Sequence, residues 1–172
     1  MGGRLGRWKQ TTNKTMAYYY STKLRIPFDE AVTRVARSLK RQGFGIFTMI
    51  DVTDSLKQEL NIDFRNYKIL GVYNPQIAYK SITLESHIGL MLPCNILLQQ
   101  FENGEVEVSA INSLESVDSG LDATNLPMIA AEVSDRLRAS LANVNRDTYE
   151  PKDEETLAFV VSDENVIART YG

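Results

Sequence analysis

The sequence contains one cysteine, Cys94, and one histidine, His87, seven positions upstream. A cysteine becomes a nucleophile when a nearby base or positive field stabilises its thiolate, and histidine is a common base. The pair is therefore a candidate catalytic dyad for thiol, peroxide or acyl chemistry. The competing interpretation is that Cys94 is a small buried side chain, because unpaired cysteines are among the most buried residues. We favour the second interpretation, since sequence spacing shows no contact between the two residues.

Four other polar residues lie where apolar segments end: Asp51, Tyr73, Asn74 and Asn95. A carboxylate among apolar neighbours is costly to bury without a partner, so Asp51 either caps the following helix or lines a pocket. The asparagines either satisfy backbone groups at turns or converge with Asp51, Tyr73 and Cys94 at one end of a sheet. This convergence is a hypothesis for a ligand-binding site.

The sequence predicts neither a metal site nor a cofactor site. Zinc requires three or four ligands, and His87, Cys94 and Asp51 would have to supply them. The GFG sequence at 43–45 lacks the lysine and the helix start of a phosphate-binding loop. We expect no cofactor and no metal.

Composition excludes several classes of protein. The 19 basic and 22 acidic residues nearly cancel, so the chain has no global positive field to attract nucleic acid. A single cysteine cannot form an internal disulfide, which favours the cytoplasm. No apolar run approaches the roughly 18 residues of a membrane span. We therefore expect a cytoplasmic protein that binds neither membrane nor nucleic acid.

Hydrophobic periodicity predicts a sequence of strands and helices. The predicted strands are 18–26, 44–52, 67–73, 90–102 with a bend at Pro93, and 105–111. The predicted helices are 27–43, a short helix through Leu60, and a long closing helix from Thr124 or Asn125 to Val144. The short helix is capped by Thr53 or Asp54, with Ser55 and Gln58 as an alternative capping pair. Residues 75–86 are ambiguous. Asn103 and Gly104 form the residue pair preferred in type I′ hairpin turns.

These elements predict an α+β fold: an antiparallel sheet with two main helices on one face, of order β-α-β-β-β-β-α, with short extra helices. Residues 1–17 are rich in glycine and lack periodicity, so we expect a flexible leader. Residues 18–147 form the single predicted domain, and 148–172 are an acidic linker and tail. The loop before the closing helix has turn residues at 118–120.

Three blocks of sequence resemble the family called domain of unknown function 302. They are RIPFDEAVTRVARSLKRQGFGIFTMIDV, FRNYKILGVYNPQIA and IGLMLPCNILL, within a resemblance covering about 18–145. The matching positions are Phe44, Gly45, Asp51, Phe64, Tyr67, Gly71, Asn74, Pro75, Gly89, Leu92, Pro93, Cys94 and Asn95. The resemblance implies a dimer shaped like the saddle of the TATA-box-binding protein, and it implies no assigned activity. Where members of the family often have cysteine before the Asn-Pro pair, this chain has Tyr73, so a pair of thiols is not possible.

We favour a non-catalytic, homodimeric module that binds a small ligand or a partner. The alternatives are an enzyme centred on Cys94 and a protein that binds nucleic acid on the saddle, which the pI of about 5.3 disfavours. Apolar residues predicted on an exposed face also favour a dimer. Strict alternation would expose Tyr19, Phe47 and Met49 to water in a monomer.

Overall fold

The computed structural model of the chain describes residues 18–114 and 125–146. In chain order, the elements are β1 (Tyr19–Leu24), α1 (Phe28–Arg41), β2 (Gly45–Asp51), α2 (Val52–Leu60), β3 (Tyr67–Tyr73), α3 (Pro75–Leu84), a 3₁₀ helix (Ser86–Met91), β4 (Cys94–Gln100), β5 (Val106–Ile111) and α4 (Leu126–Val144). The strands form one antiparallel sheet in the order β1-β5-β4-β3-β2. The predicted α+β class is confirmed.

The core lies between one face of this sheet and the two long helices. Alternate strand residues point to this side and are almost fully buried, as period-2 geometry requires; they are Leu24, Leu70, Val72, Ile96, Leu98, Val106, Val108 and Ala110. The apolar stripes of α1 and α4 pack on them; these stripes are Ala31, Val32, Val35, Leu39, Val133, Leu137, Leu141 and Val144. Both main helices therefore pack on the same face, as predicted.

The opposite side of the sheet, which we call the open face, carries the other alternate residues. From the strand register, they are Tyr19, Ser21, Lys23, Phe47, Thr48, Ile50, Tyr67, Ile69, Gly71, Tyr73, Asn95, Leu97, Gln99, Glu107, Ser109 and Ile111. Phe47 is 67% exposed, and Tyr19 and Ile50 are each 40% exposed. The open face therefore presents apolar side chains to solvent.

A β-bulge in β2 changes which residues reach the open face. The pairing with β3 skips from Ile46 to Thr48, so Phe47 is the extra residue, and Met49 falls opposite Leu70. Met49 consequently packs against the core, while Phe47 contacts Tyr73 on the open face. The expectation that Met49 would be exposed is wrong, because an inserted residue reverses the alternation that follows it.

The predicted bent strand 90–102 is also wrong at its start. Residues Ser86–Met91 form a 3₁₀ helix, and β4 begins only at Cys94. The carboxylate of Glu85 accepts a hydrogen bond from the His87 backbone nitrogen at 2.8 Å and caps the 3₁₀ helix. Pro93 has no N–H to donate to a strand ladder, so the strand starts after it rather than bending around it.

The hairpin between β4 and β5 is confirmed, but its turn is not type I′. That turn requires positive φ at both central residues, and only Gly104 has it, with φ of 77°. Phe101 accepts a hydrogen bond from the Gly104 nitrogen and donates one to the Glu105 carbonyl, each at 2.9 Å. This pattern is that of a longer hairpin loop whose glycine occupies the left-handed position.

The ends of α1 follow the predicted chemistry with a shift of one residue, while Asn125 is the N-cap residue of α4 but makes no side-chain capping hydrogen bond. Pro27 is the N-cap of α1 rather than its first residue, and Gly43 adopts φ of 81° after the helix ends. The ambiguous segment is helix α3, capped by Asn74. In α4, the predicted stripe from Leu126 to Val144 is buried, with Ile129 partly buried.

Four predictions fall on residues outside the described ranges: the leader 1–17, the turn at 118–120, the cap at Thr124 and the tail 148–172. Among the helices of the described residues, none combines the length and the hydropathy needed to cross a bilayer.

Candidate functional site

A cavity of about 430 Å³ lies at the end of the sheet where β4 begins. We call it the Cys94 cavity. Its apolar walls come from α3, the 3₁₀ helix, α4 and the adjacent strand ends; they are Ile77, Ile88, Leu90, Met91, Leu92, Pro93, Ile111, Leu126, Ile129, Ala130 and Val133. Its polar lining consists of Ser81, Cys94, Asn95 and Ser113. A largely apolar pocket with a few convergent polar groups is the usual form of a small-molecule site.

Cys94 is partly buried where this cavity meets the core. Its Sγ lies 3.7 Å from the Ser113 Oγ. Burial raises the pKa of the Cys94 thiol, and the hydrogen bond with Ser113 opposes this shift only in part. Desolvation disfavours the thiolate, so the thiol is protonated at neutral pH. The geometry agrees with the interpretation of Cys94 as a small buried side chain.

We expect Cys94 in the native protein to react with methyl methanethiosulfonate at least about tenfold more slowly than free cysteine near pH 8. Unfolding in urea should restore the rate of free cysteine. A native rate above that of free cysteine would instead indicate an activated nucleophile.

The same shift predicts a pH dependence of stability. The pKa of the Cys94 thiol is higher in the folded state than in the unfolded state. The protonated thiol therefore contributes its full stabilisation at pH values below its unfolded-state pKa of about 8.5. This contribution is lost as the pH rises through the folded pKa. Above the unfolded value, the free energy of unfolding of Cys94→Ala should therefore fall less steeply with pH than that of the parent protein.

His87 does not join Cys94. Its side chain is 80% exposed, and its Nδ1 lies 3.0 Å from the Glu85 carboxylate. The backbone hydrogen bond from His87, followed by its side-chain contact, lowers the pKa of Glu85. His87 is not among the residues that line the Cys94 cavity. The predicted dyad is therefore not assembled in this structure.

Asp51 lies at the opposite end of the sheet. Asp51 pairs with Lys68, and Lys68 pairs with Leu98, which is four residues along β4 from Cys94. At about 3.4 Å per residue, this separation along the strand is about 14 Å. The Asp51 Oδ1 accepts from the Asp54 nitrogen at 3.1 Å and caps α2, while its Oδ2 lies 3.1 Å from the Lys68 Nζ. The predicted capping role is confirmed, the predicted caps Thr53 and Asp54 are wrong, and Asp51 does not converge with Cys94.

Asn74 follows β3 at the same end of the sheet as Cys94, but both atoms of its side-chain amide bond backbone groups. The Oδ1 accepts from the Ile77 nitrogen at 3.1 Å and caps α3, while the Nδ2 donates to the Gly43 carbonyl at 2.9 Å. Tyr73 lies on the open face, where its ring meets Phe47 edge-on. Of the five residues predicted to bind a ligand, Cys94 and Asn95 line the cavity.

Within the described residues, no cluster of three or more histidine, cysteine, aspartate or glutamate side chains could hold a metal ion.

Residues 20–144 match the family model described as "Domain of unknown function DUF302". The chain belongs to this family. A crystal structure of an uncharacterised DUF302 protein from Bacillus stearothermophilus is 31% identical, with a TM-score of 0.67. The match covers 74% of this chain and 98% of that one. No match was found among curated proteins.

Several cavity residues of this DUF302 protein were not predicted as site residues. Helical spacing predicts that four of them belong to the core-facing stripe of the closing helix; they are Leu126, Ile129, Ala130 and Val133. Ser113 stood at the start of a predicted loop. Nothing in the sequence shows that α3 and the 3₁₀ helix leave a space against α4, because that space depends on how separate elements pack.

Proposed function

We propose that this DUF302 protein is a homodimeric, non-catalytic module that binds a small molecule in the Cys94 cavity. The observation that carries the proposal is the cavity itself. Its volume of about 430 Å³ falls in the range of ligand pockets, and its lining combines apolar walls with a few polar groups. The protonated thiol and the contact of His87 with Glu85 rather than Cys94 support binding rather than nucleophilic catalysis.

Fluorescence of the neutral probe N-phenyl-1-naphthylamine tests the proposed site. The probe should brighten on binding the native protein. Ala130→Leu places three more carbon atoms at the cavity wall, because Ala130 is 5% exposed and lines the space. We expect this variant to lower the affinity at least about tenfold, equivalent to the loss of more than one kcal/mol of binding free energy.

The matched control is Ala142→Leu, the same substitution at an exposed position of the same helix outside the cavity. It should bind the probe like the parent protein, and melting curves should show both variants folded. Equal affinity in Ala130→Leu and Ala142→Leu would place the probe elsewhere. Failure of the parent protein to bind the probe would count against the proposed function.

The dimer component of the proposal rests on the open face. Of its strand positions, Lys23 and Glu107 carry charge, and the Lys23 Nζ lies 2.6 Å from the Glu105 carboxylate. Two copies can therefore meet through this face without repulsion between like charges. Because exposed apolar side chains such as Phe47, Tyr19 and Ile50 dominate this face, we propose a second copy of the chain as its occupant.

A further inference from the structure

The electrostatics of the Cys94 cavity restrict what it can hold. None of the described residues that line it carries a formal charge. An ion moved from water into an apolar site without a counter-charge loses much of its hydration energy. A carboxylate, a phosphate or an ammonium group would therefore bind poorly against these walls.

The polar groups are unevenly placed around the cavity. Asn95 follows Cys94 in β4, so the strand register directs its side chain to the open face. The hydroxyl of Ser81 donates to the Ile77 carbonyl at 2.9 Å, so its hydrogen is engaged within α3. The Cys94 thiol and the Ser113 hydroxyl lie together, with 3.7 Å between Sγ and Oγ. A hydroxyl group can donate and accept, and a thiol does both weakly. This pair is the part of the cavity suited to one neutral polar group of a ligand.

We propose, resting on the proposed function, that the cavity selects uncharged amphiphiles: molecules with an aliphatic or aromatic body and one hydroxyl or carbonyl group directed at Cys94 and Ser113. Charged molecules of the same size are rejected. The apolar body contacts the walls from α3, α4 and the 3₁₀ helix, where Ile88 and Leu126 are both buried.

The test uses three probes with the same ten-carbon chain: decan-1-ol, decanoate and decylammonium. Each competes at neutral pH with N-phenyl-1-naphthylamine bound to the full-length protein. Decanol should displace the probe at a concentration at least about tenfold lower than either ion. Bound decanol should also slow the reaction of Cys94 with methyl methanethiosulfonate, because its hydroxyl lies beside the thiol.

Introducing a positive charge at the cavity separates selection by the cavity from the general cost of removing an ion from water. Leu90 lines the rim and is 88% exposed, so Leu90→Lys should fold normally. Its ammonium should improve displacement by decanoate about three- to fivefold, as expected for an exposed ion pair. Met128→Lys adds the same charge at a 73% exposed position outside the cavity and should leave the ratio of decanol to decanoate unchanged.

The outcomes are distinguishable. If the naphthylamine probe binds but decanoate or decylammonium competes as well as decanol, the ligand class is overturned while the binding function stands. The class is also overturned if none of the three displaces a bound probe, or if Met128→Lys shifts the ratio as much as Leu90→Lys. If the naphthylamine probe does not bind at all, the proposed function itself fails.

Discussion

Gly71→Ala is expected to lower the free energy of unfolding by about 2–3 kcal/mol. Gly71 is buried in β3 between two side chains of the neighbouring strand segments. A Cβ atom at this position would lie 2.6 Å from Thr48 Cγ2 and 2.7 Å from Pro93 Cγ. Neither neighbour yields easily, because threonine has a stiff χ1 and the proline ring has no rotatable side-chain bond. The backbone of β3 or β4 would have to move.

Urea denaturation of the purified variants measures this effect. Gly89→Ala is the matched control, because nothing lies within 4 Å of a Cβ built there, and its stability should stay within about 0.5 kcal/mol of the parent protein. Adding Thr48→Ser, which removes the nearer methyl group, should recover part of the loss in Gly71→Ala. A Gly71→Ala protein as stable as the Gly89→Ala control would mean that the contact with Pro93 is not as close as the structure places it.

Phe47→Glu is expected to convert the proposed homodimer to a folded monomer, raising the dissociation constant at least about a hundredfold. Phe47 is 67% exposed on the open face, and its ring contacts that of Tyr73 at 5.5 Å between centroids. The two-fold symmetry of an isologous interface would bury two such charges, one from each copy, without a counter-charge. Because the residue is exposed in one chain, the monomer should keep its fold.

Sedimentation velocity at micromolar concentration measures the outcome, with circular dichroism as the check on folding. Tyr79→Glu provides the control, because Tyr79 is an aromatic residue of similar exposure, at 73%, but lies on α3 rather than on the sheet. It should stay dimeric. A monomeric parent protein, or a folded Phe47→Glu variant that still sediments as a dimer, would refute the assignment of the open face.

Local periodicity was enough to predict most of the fold. The strand 67–73 and the stripe of α4 were predicted because apolar spacing is a property of neighbouring residues, and burial follows it directly. Two errors have local causes that the residue pattern does not reveal. The extra residue Phe47 reverses the alternation in the rest of β2. The segment before Pro93 forms a 3₁₀ helix instead of a strand.

The candidate site was harder to predict because it depends on strand direction. Asp51 and Tyr73 are each the last residue of a strand. Because β2 and β3 are antiparallel neighbours, these two residues lie at opposite ends of the strands. The residue type of Cys94 alone predicts it as a site residue. Its neighbour Ser113 and the helix residues around it depend on contacts between distant segments, which no spacing rule describes.

The bulge in β2 has a consequence for the behaviour of the protein during synthesis and stress. Strand β2 is an outer strand, and its unpaired backbone groups would offer a template to any extended chain. The extra residue Phe47 interrupts the regular spacing of those groups, so an incoming strand cannot form hydrogen bonds with β2 over its full length. The same irregularity that places Phe47 on the open face therefore also guards against open-ended fibre growth along this edge.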